Sequence, residues 1–286
     1  MSSTNENSQD LLIKQTIARK YTSAASLASE EPIYGCSCRV NVPLTHEEIT
    51  SKASSLGYPM KEMKNVPEEV ISMSMGCGNP TKYANLRPGD FVLDVGCGAG
   101  LDSVLSSRAV GRYGTLLATD LSRRMLELCR QNSQKMNLTN LEFVLCDGES
   151  LPFKSGSVDH IVTNCSINLM PNKRKVMEEA HRIVKETGHV TFSDIASVSP
   201  LPEELKKDLN LWAACISGVV GEDVFLQNLE VAGFRSIDVV DRKVFHYGEK
   251  DRLRIRNYFG DRLDIVSSVL GLENKLESLV VRAEKR

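Results

Sequence analysis

From about residue 90 to 195, short apolar runs alternate with amphipathic stretches. Phe91-Val-Leu-Asp-Val95 predicts a buried strand, Gly96-Cys-Gly-Ala-Gly100 a turn, and residues 101 to about 110 a helix. Thr115-Leu-Leu-Ala-Thr-Asp120 predicts a second strand, with Ser122 placed to cap a helix running to about 136. Leu141-Glu-Phe-Val-Leu-Cys146 and Val158-Asp-His-Ile-Val-Thr163 predict a third and a fourth strand. Pro171-Asn-Lys173 opens a helix to about 184, and His189-Val-Thr-Phe-Ser193 is a fifth strand. Strand and helix taking turns this regularly implies right-handed crossovers and a parallel sheet. The fold class is therefore α/β, doubly wound and Rossmann-like.

The pattern changes on either side. Residues 1–14 predict a disordered tail and 15–68 a helical, loop-rich segment punctuated by Pro32, Pro43, Pro59 and Pro67. Residues 69–196 form the expected cofactor-binding domain, and 197–286 an insertion followed by a C-terminal α/β region. Within that last region Ile237-Asp-Val-Val240 and Ser278-Leu-Val-Val281 are candidate late strands. Lys and Arg number 35 against 37 Asp and Glu, a net charge of −2 that argues against a nucleic-acid partner. No apolar run approaches the roughly 20 residues of a membrane span. The polar first ten residues lack a secretion pattern, so a cytoplasmic location is expected.

Asp94-Val-Gly96-Cys-Gly98-Ala-Gly100 sits where the first strand turns into the first helix, and lets backbone approach a ligand closely. Its spacing is GxGxG rather than the GxGxxG of a pyrophosphate turn, so alone it is weak. Asp120, beside Leu121, ends the second strand, where a carboxylate can accept both ribose hydroxyls; Asp147, before Gly148, ends the third and can meet an adenine amine. With these residues the chain resembles the class I S-adenosylmethionine-dependent methyltransferases. The resemblance implies S-adenosylmethionine as cofactor, its methionine moiety passing the glycine turn. A sulfonium is a cation, suited to carboxylates, carbonyls and aromatic faces.

Eight cysteines remain, at 36, 38, 77, 97, 129, 146, 165 and 215. A disulfide framework is not expected in a reducing compartment, and no pair of CxxC half-sites suggests zinc. Cys97, Cys129 and Cys146 read as packing residues. Cys77 in Met75-Gly-Cys-Gly-Asn-Pro80, Cys165 after the fourth strand and Cys215 after Trp212-Ala-Ala are flanked by special turn residues. Each alone is a buried structural thiol as readily as a ligand. Together with Arg19-Lys-Tyr21, Gly35-Cys-Ser-Cys38 and Asn164-Cys-Ser-Ile-Asn-Leu169, these stretches resemble the arsenite methyltransferases over about residues 15 to 235. The resemblance implies that Cys77, Cys165 and Cys215 grip As(III) as thiolates and face the methyl donor. The resemblance implies for Cys36 and Cys38, here split by Ser37, an accessory role in relaying arsenic or forming a disulfide during turnover. The cysteine-rich tail of the longer animal members is missing here, the last cysteine being Cys215.

The chemistry agrees with the resemblance. Thiolate is the soft donor that selects a soft acid, and a three-thiolate arsenic keeps a lone pair that bears no proton. No general base is then required, and none of the five histidines (46, 160, 181, 189, 246) falls in a site motif. Tyr21 is either an aromatic wall for the sulfonium or a core tyrosine; Asn164 either bonds the cofactor's amino-acid end or caps a turn. Arsenite or its thiol conjugates are the expected substrate, with a reductant of the glutathione or thioredoxin type. Two alternatives stand beside this: a small-molecule C- or O-methyltransferase with structural cysteines, and a thiol-based metalloid binder without turnover.

Overall fold

The computed structural model describes residues 2–25 and 45–286. Five parallel strands form where the apolar runs predict them: β1 (Phe91–Val95), β2 (Thr115–Asp120), β3 (Leu141–Leu145), β4 (Val158–Asn164) and β5 (Val184–Ser197). A two-residue β6 (Val220–Gly221) adds to the end of β5, and β7 (Arg235–Val244) and β8 (Leu276–Glu284) complete one sheet in the order β3-β2-β1-β4-β5-β8-β7. β8 runs antiparallel to both β5 and β7. Much of the region after residue 197 thus extends the cofactor-binding sheet rather than standing apart from it.

The helices are α1 (Ser2–Ala24), α2 (His46–Ser55), α3 (Met60–Met63), α4 (Glu68–Ser72), α5 (Leu101–Val110) and α6 (Arg123–Lys135). They continue as α7 (Lys173–Ile183), α8 (Glu203–Lys206), α9 (Leu209–Ala213), α10 (Glu222–Ala232), α11 (Glu249–Phe259) and α12 (Leu263–Leu270). Ser122 caps α6 by accepting from the Met125 N–H, as its position predicts. α1 is a correction: a helix runs through the stretch read as a disordered tail. Ile13 and Ile17, one turn apart, are buried on one face, while Leu11 and Leu12 stay exposed. None of the described helices is long and apolar enough to cross a membrane.

Register places the core. Leu93 on β1 lies between Leu117 on β2 and Ile161 on β4, and all three are buried. Each such side chain contributes about 1.5–3 kcal/mol on burial. Strand order reverses between β1 and β4, so the crevice outside their carboxyl ends is where a doubly wound sheet binds ligands.

At the opposite edge His160 and His189 stack with ring centroids 4.0 Å apart. His160 Nε2 donates to Asp90 at 2.9 Å and His189 Nε2 to the Ala84 carbonyl at 2.5 Å. Burial, and then the facing His160, push His189 down to about 4. A histidine depressed in the folded state favours folding above its unfolded value near 6.5, and that contribution fades as pH falls toward 4. The urea midpoint should fall across this window by the equivalent of about 3 kcal/mol, and His189→Gln should flatten the fall; an unchanged slope in the variant would contradict it.

Candidate functional site

A cleft of about 1000 Å³ opens at the switch point. The glycine turn supplies its floor, with Gly96, Gly98 and Gly100 all at positive φ. A Cβ at Gly98 would meet nothing within 4 Å, so the bare backbone there leaves room for a ligand. Asp120 is held rigidly beside it: one oxygen accepts the Gly98 N–H at 3.0 Å and the other the Ser122 N–H at 2.8 Å. Burial pushes Asp120 up to about 6. Asp94 lies deeper; burial and the neighbouring Asp102 push it up to about 8, and Ser103 donates to it at 2.5 Å. Leu121, Asp147 and Gly148 form the outer wall. An open glycine floor ringed by carboxylates fits a cationic, ribose-bearing cofactor, and so fits S-adenosylmethionine.

α1 closes the cleft from above, lining it with Lys14, Ile17, Ala18 and Tyr21. Lys14 Nζ bridges Asp147 at 2.7 Å and Glu149 at 2.6 Å. Burial works against the ammonium charge, and the two carboxylates outweigh it, so Lys14 is raised above its ordinary value. Asp147, expected at the adenine amine, therefore already has a cationic partner. Tyr21 reaches the other half of the site: its hydroxyl is 3.5 Å from the Ala213 carbonyl and 4.0 Å from Cys215 Sγ.

The three singled-out thiols come from separate elements: the Cys77 and Cys165 sulfurs lie within 4.8 Å of each other beyond β4 and β5, and Cys215 lies beside the Cys165 carbonyl. Cys165 follows β4 directly, its N–H donating to the Ser193 carbonyl of β5 at 2.8 Å. Cys77 is drawn in by Asn164, whose Oδ1 accepts the Cys77 N–H at 2.9 Å. Its sulfur lies 3.5 Å from Ser193 Oγ. Glycines flank it because nothing larger fits: a Cβ at Gly76 would lie 2.4 Å from Asn164 Nδ2, and one at Gly78 2.6 Å from Ser193 Oγ. Cys215 follows α9, which Asp208 caps through the Asn210 and Leu211 N–H groups. Trp212 Nε1 donates to the Leu169 carbonyl at 2.9 Å, and Cys215 Sγ lies 3.4 Å from the Cys165 carbonyl.

Backbone strain marks the same place. Among the described residues the non-glycines at positive φ are Asn65, Asn85, Asn137, Asn274, Ser236, Cys165 (+55°) and Cys215 (+59°). Asparagine tolerates that region; cysteine does so at a cost of order 1–3 kcal/mol each. Both strained cysteines belong to the predicted thiol set. Of the three, Cys165 lines the cleft, and Cys77 and Cys215 lie buried behind it.

Asn164 both holds a turn and lines the cleft. Its Nδ2 reaches the Gly78 carbonyl at 2.8 Å, Asp102 Oδ2 at 2.9 Å and the Tyr58 hydroxyl at 3.1 Å. Tyr58 in turn donates to Asp102 at 2.7 Å. Cys129 packs under Gly100 as a small hydrophobe, and Cys97 joins it. Cys146, read as packing, is half-buried and lines the cleft, with burial pushing its thiol up to about 11. Cys36 and Cys38 lie outside the described residues.

Asp194 was not foreseen. It ends the inner part of β5, and one carboxylate oxygen lies within 4.8 Å of both the Cys77 and Cys165 sulfurs. The Ile195 N–H (2.8 Å), Asn168 Nδ2 (2.8 Å) and the Asn168 N–H (3.1 Å) fix it, and burial pushes it up to about 6. An acid following a strand, the signal that exposed Asp120, was present at Ser193-Asp194 too.

A family described as methyltransferase domain matches residues 86–254, more than half of the chain. The chain belongs to the methyltransferase-domain family. Within it, an arsenite methyltransferase of Halobacterium salinarum is 31% identical over 196 residues, 68% of this chain and 50% of the relative. One from Mus musculus is 29% identical over 199 residues, covering 65% and 52%. This methyltransferase-domain chain spans about half the length of these curated relatives. Among solved structures, an arsenic(III) S-adenosylmethionine methyltransferase from Chlamydomonas reinhardtii superposes with a TM-score of 0.65 at 25% identity, covering 79% of this chain and 73% of that one.

Because Asn164 ties the Cys77 loop and α5 to β4 through the Cys77 N–H, the Gly78 carbonyl and Asp102, Asn164→Ala should leave buried donors and acceptors unpaired. Urea unfolding should show a loss of about 3 kcal/mol. Alkylation of Cys77, followed by peptide mass spectrometry, should quicken; unchanged stability and labelling would remove the clamp.

Proposed function

We propose that this methyltransferase-domain chain methylates trivalent arsenic, with S-adenosylmethionine as donor and Cys77, Cys165 and Cys215 as the thiolates that hold the substrate. The observation that supports the reading is the approach of the Cys77 and Cys165 sulfurs to within 4.8 Å of each other at the carboxyl edge of β4 and β5, with Cys215 Sγ 3.4 Å from the Cys165 carbonyl and both Cys165 and Cys215 on strained backbone. Similarity to arsenite methyltransferases of known name supports it.

When bound, S-adenosylmethionine supplies an electrophilic methyl group carried on a cationic sulfur. Asp120, Gly98 and the outer wall at Leu121, Asp147 and Gly148 would hold the nucleoside side, and Asp94 with the Gly96–Gly100 turn the amino-acid side. On the substrate side, arsenous acid exchanges its three hydroxyls for three thiols, each thiol proton leaving with a hydroxyl as water. The sulfurs occupy three arsenic positions and leave the lone pair free, so no residue has to remove a proton before methylation. What the protein contributes is placement. Cys165, shared between cleft and thiol set, brings the two halves together, an effect worth up to about 7–11 kcal/mol where alignment is good. α1 covers both halves, with Tyr21 against Cys215, and keeps water from the site. An external thiol reductant, of the glutathione or thioredoxin type, returns arsenic to the trivalent state and belongs to this reading.

Incubation with arsenite, cofactor and a thiol reductant should yield methylated arsenicals detectable by mass spectrometry. Cys165→Ser and Cys215→Ser should each lower the yield by at least about 100-fold while cofactor affinity, measured by calorimetry, changes less than about threefold. Arsenite methylation that survives both substitutions would overturn the thiol assignment.

A further inference from the structure

Arsenic(III) leaves one member of this buried group without work. Its three bonds go to sulfur and its fourth direction holds a lone pair, so a carboxylate adds nothing to its capture. Yet a carboxylate oxygen of Asp194 stands within 4.8 Å of both the Cys77 and Cys165 sulfurs, with all three residues buried. The carboxylate is oriented by hydrogen bonds from Ile195 and Asn168, as the outer partners of metal ligands orient them. Two thiolates and one carboxylate, gathered from the loop before β1, the end of β4 and β5, are the donor set of a borderline-soft divalent cation.

We propose that Cys77, Cys165 and Asp194 form a binding site for a divalent cation of the zinc group, Zn²⁺ or Cd²⁺, which overlaps the arsenic site but uses different donors. Both metals accept sulfur and oxygen together and favour four ligands. Three come from the chain, and the fourth position is left to water. Binding releases the protons of two thiols to solvent and forms two metal–sulfur bonds and one metal–oxygen bond. Because Cys77 and Cys165 are common to both sites, cation and arsenic exclude one another. The cation would act as a competitive brake on arsenic capture. The cation site itself stands apart from the arsenic reading, and only the competition rests on it.

The test is a Cd²⁺ titration followed by the thiolate-to-cadmium absorption in the near ultraviolet. It uses the full chain carrying Cys36→Ser and Cys38→Ser, so that those thiols add no signal. One equivalent should bind, Asp194→Asn should weaken binding at least about tenfold, and Cys215→Ser should change it less than about threefold. Loss of binding in Cys215→Ser with no effect of Asp194→Asn would overturn the proposal, since cadmium would then be using the three thiols alone. Should Asp194→Asn fail to fold, the cadmium-113 resonance of the protein with native Asp194 decides: a mixed sulfur–oxygen shift supports the site, an all-sulfur shift overturns it. Arsenite methylation is scored separately by product mass, so either reading can fail while the other stands.

Discussion

The carboxyl ends of β4 and β5 are where the structure's demands converge. β4 delivers Asn164 and Cys165 in succession, and β5 delivers Ser193 and Asp194 alongside them. One backbone hydrogen bond, from the Cys165 N–H to the Ser193 carbonyl, fixes the two strand ends to each other just as Cys165 turns into the left-handed region. From that point Asn164 draws in the loop of Cys77, and the Cys165 carbonyl meets Cys215.

The cofactor cleft and the thiol group share a set of buried acids. Asp94, Asp102, Asp120 and Asp194 are all pushed upward by burial, and a cation placed beside them would offset that penalty. A sulfonium supplies such a charge. Buried Lys173, pushed down to about 8 by its own desolvation and stacked 5.7 Å from the Trp212 ring, relieves part of the same excess near Cys215. α1 adds Lys14 at the outer end. The helix thereby spans both ends of the site, from the Asp147 wall to Cys215, with one amphipathic face.

The sheet was legible because its code is local. Alternation of apolar runs with amphipathic stretches, and Ser122 ahead of a helix, are read within a few residues of where they act. The late strands near 237–240 and 278–281 were legible for the same reason, although their membership of the main sheet was not. α1 was hidden because its apolar stripe is thin and its partners lie far along the chain: Lys14 meets residues 147 and 149. The thiols could be singled out by their flanking glycines and turn residues, but the reason for the glycines, close approach to Asn164 and Ser193, exists only in three dimensions. Asp194 and Asn168 are 26 apart in sequence, and nothing local announces that they pair beside two sulfurs. Asn164 shows the limit most clearly: its type suits a ligand contact or a turn, and its three-way clamp and its place in the cleft wall exist only in the fold.

The central claim is that three sulfurs from distant stretches bind one arsenic atom. Arsenic K-edge X-ray absorption on the arsenite-loaded protein measures this directly. Three arsenic–sulfur bonds in the unaltered chain, falling to two with an oxygen in their place when Cys215 is replaced by Ser, are the predicted result. A first shell with fewer than three sulfurs in the unaltered chain, or one indifferent to that replacement, would contradict it.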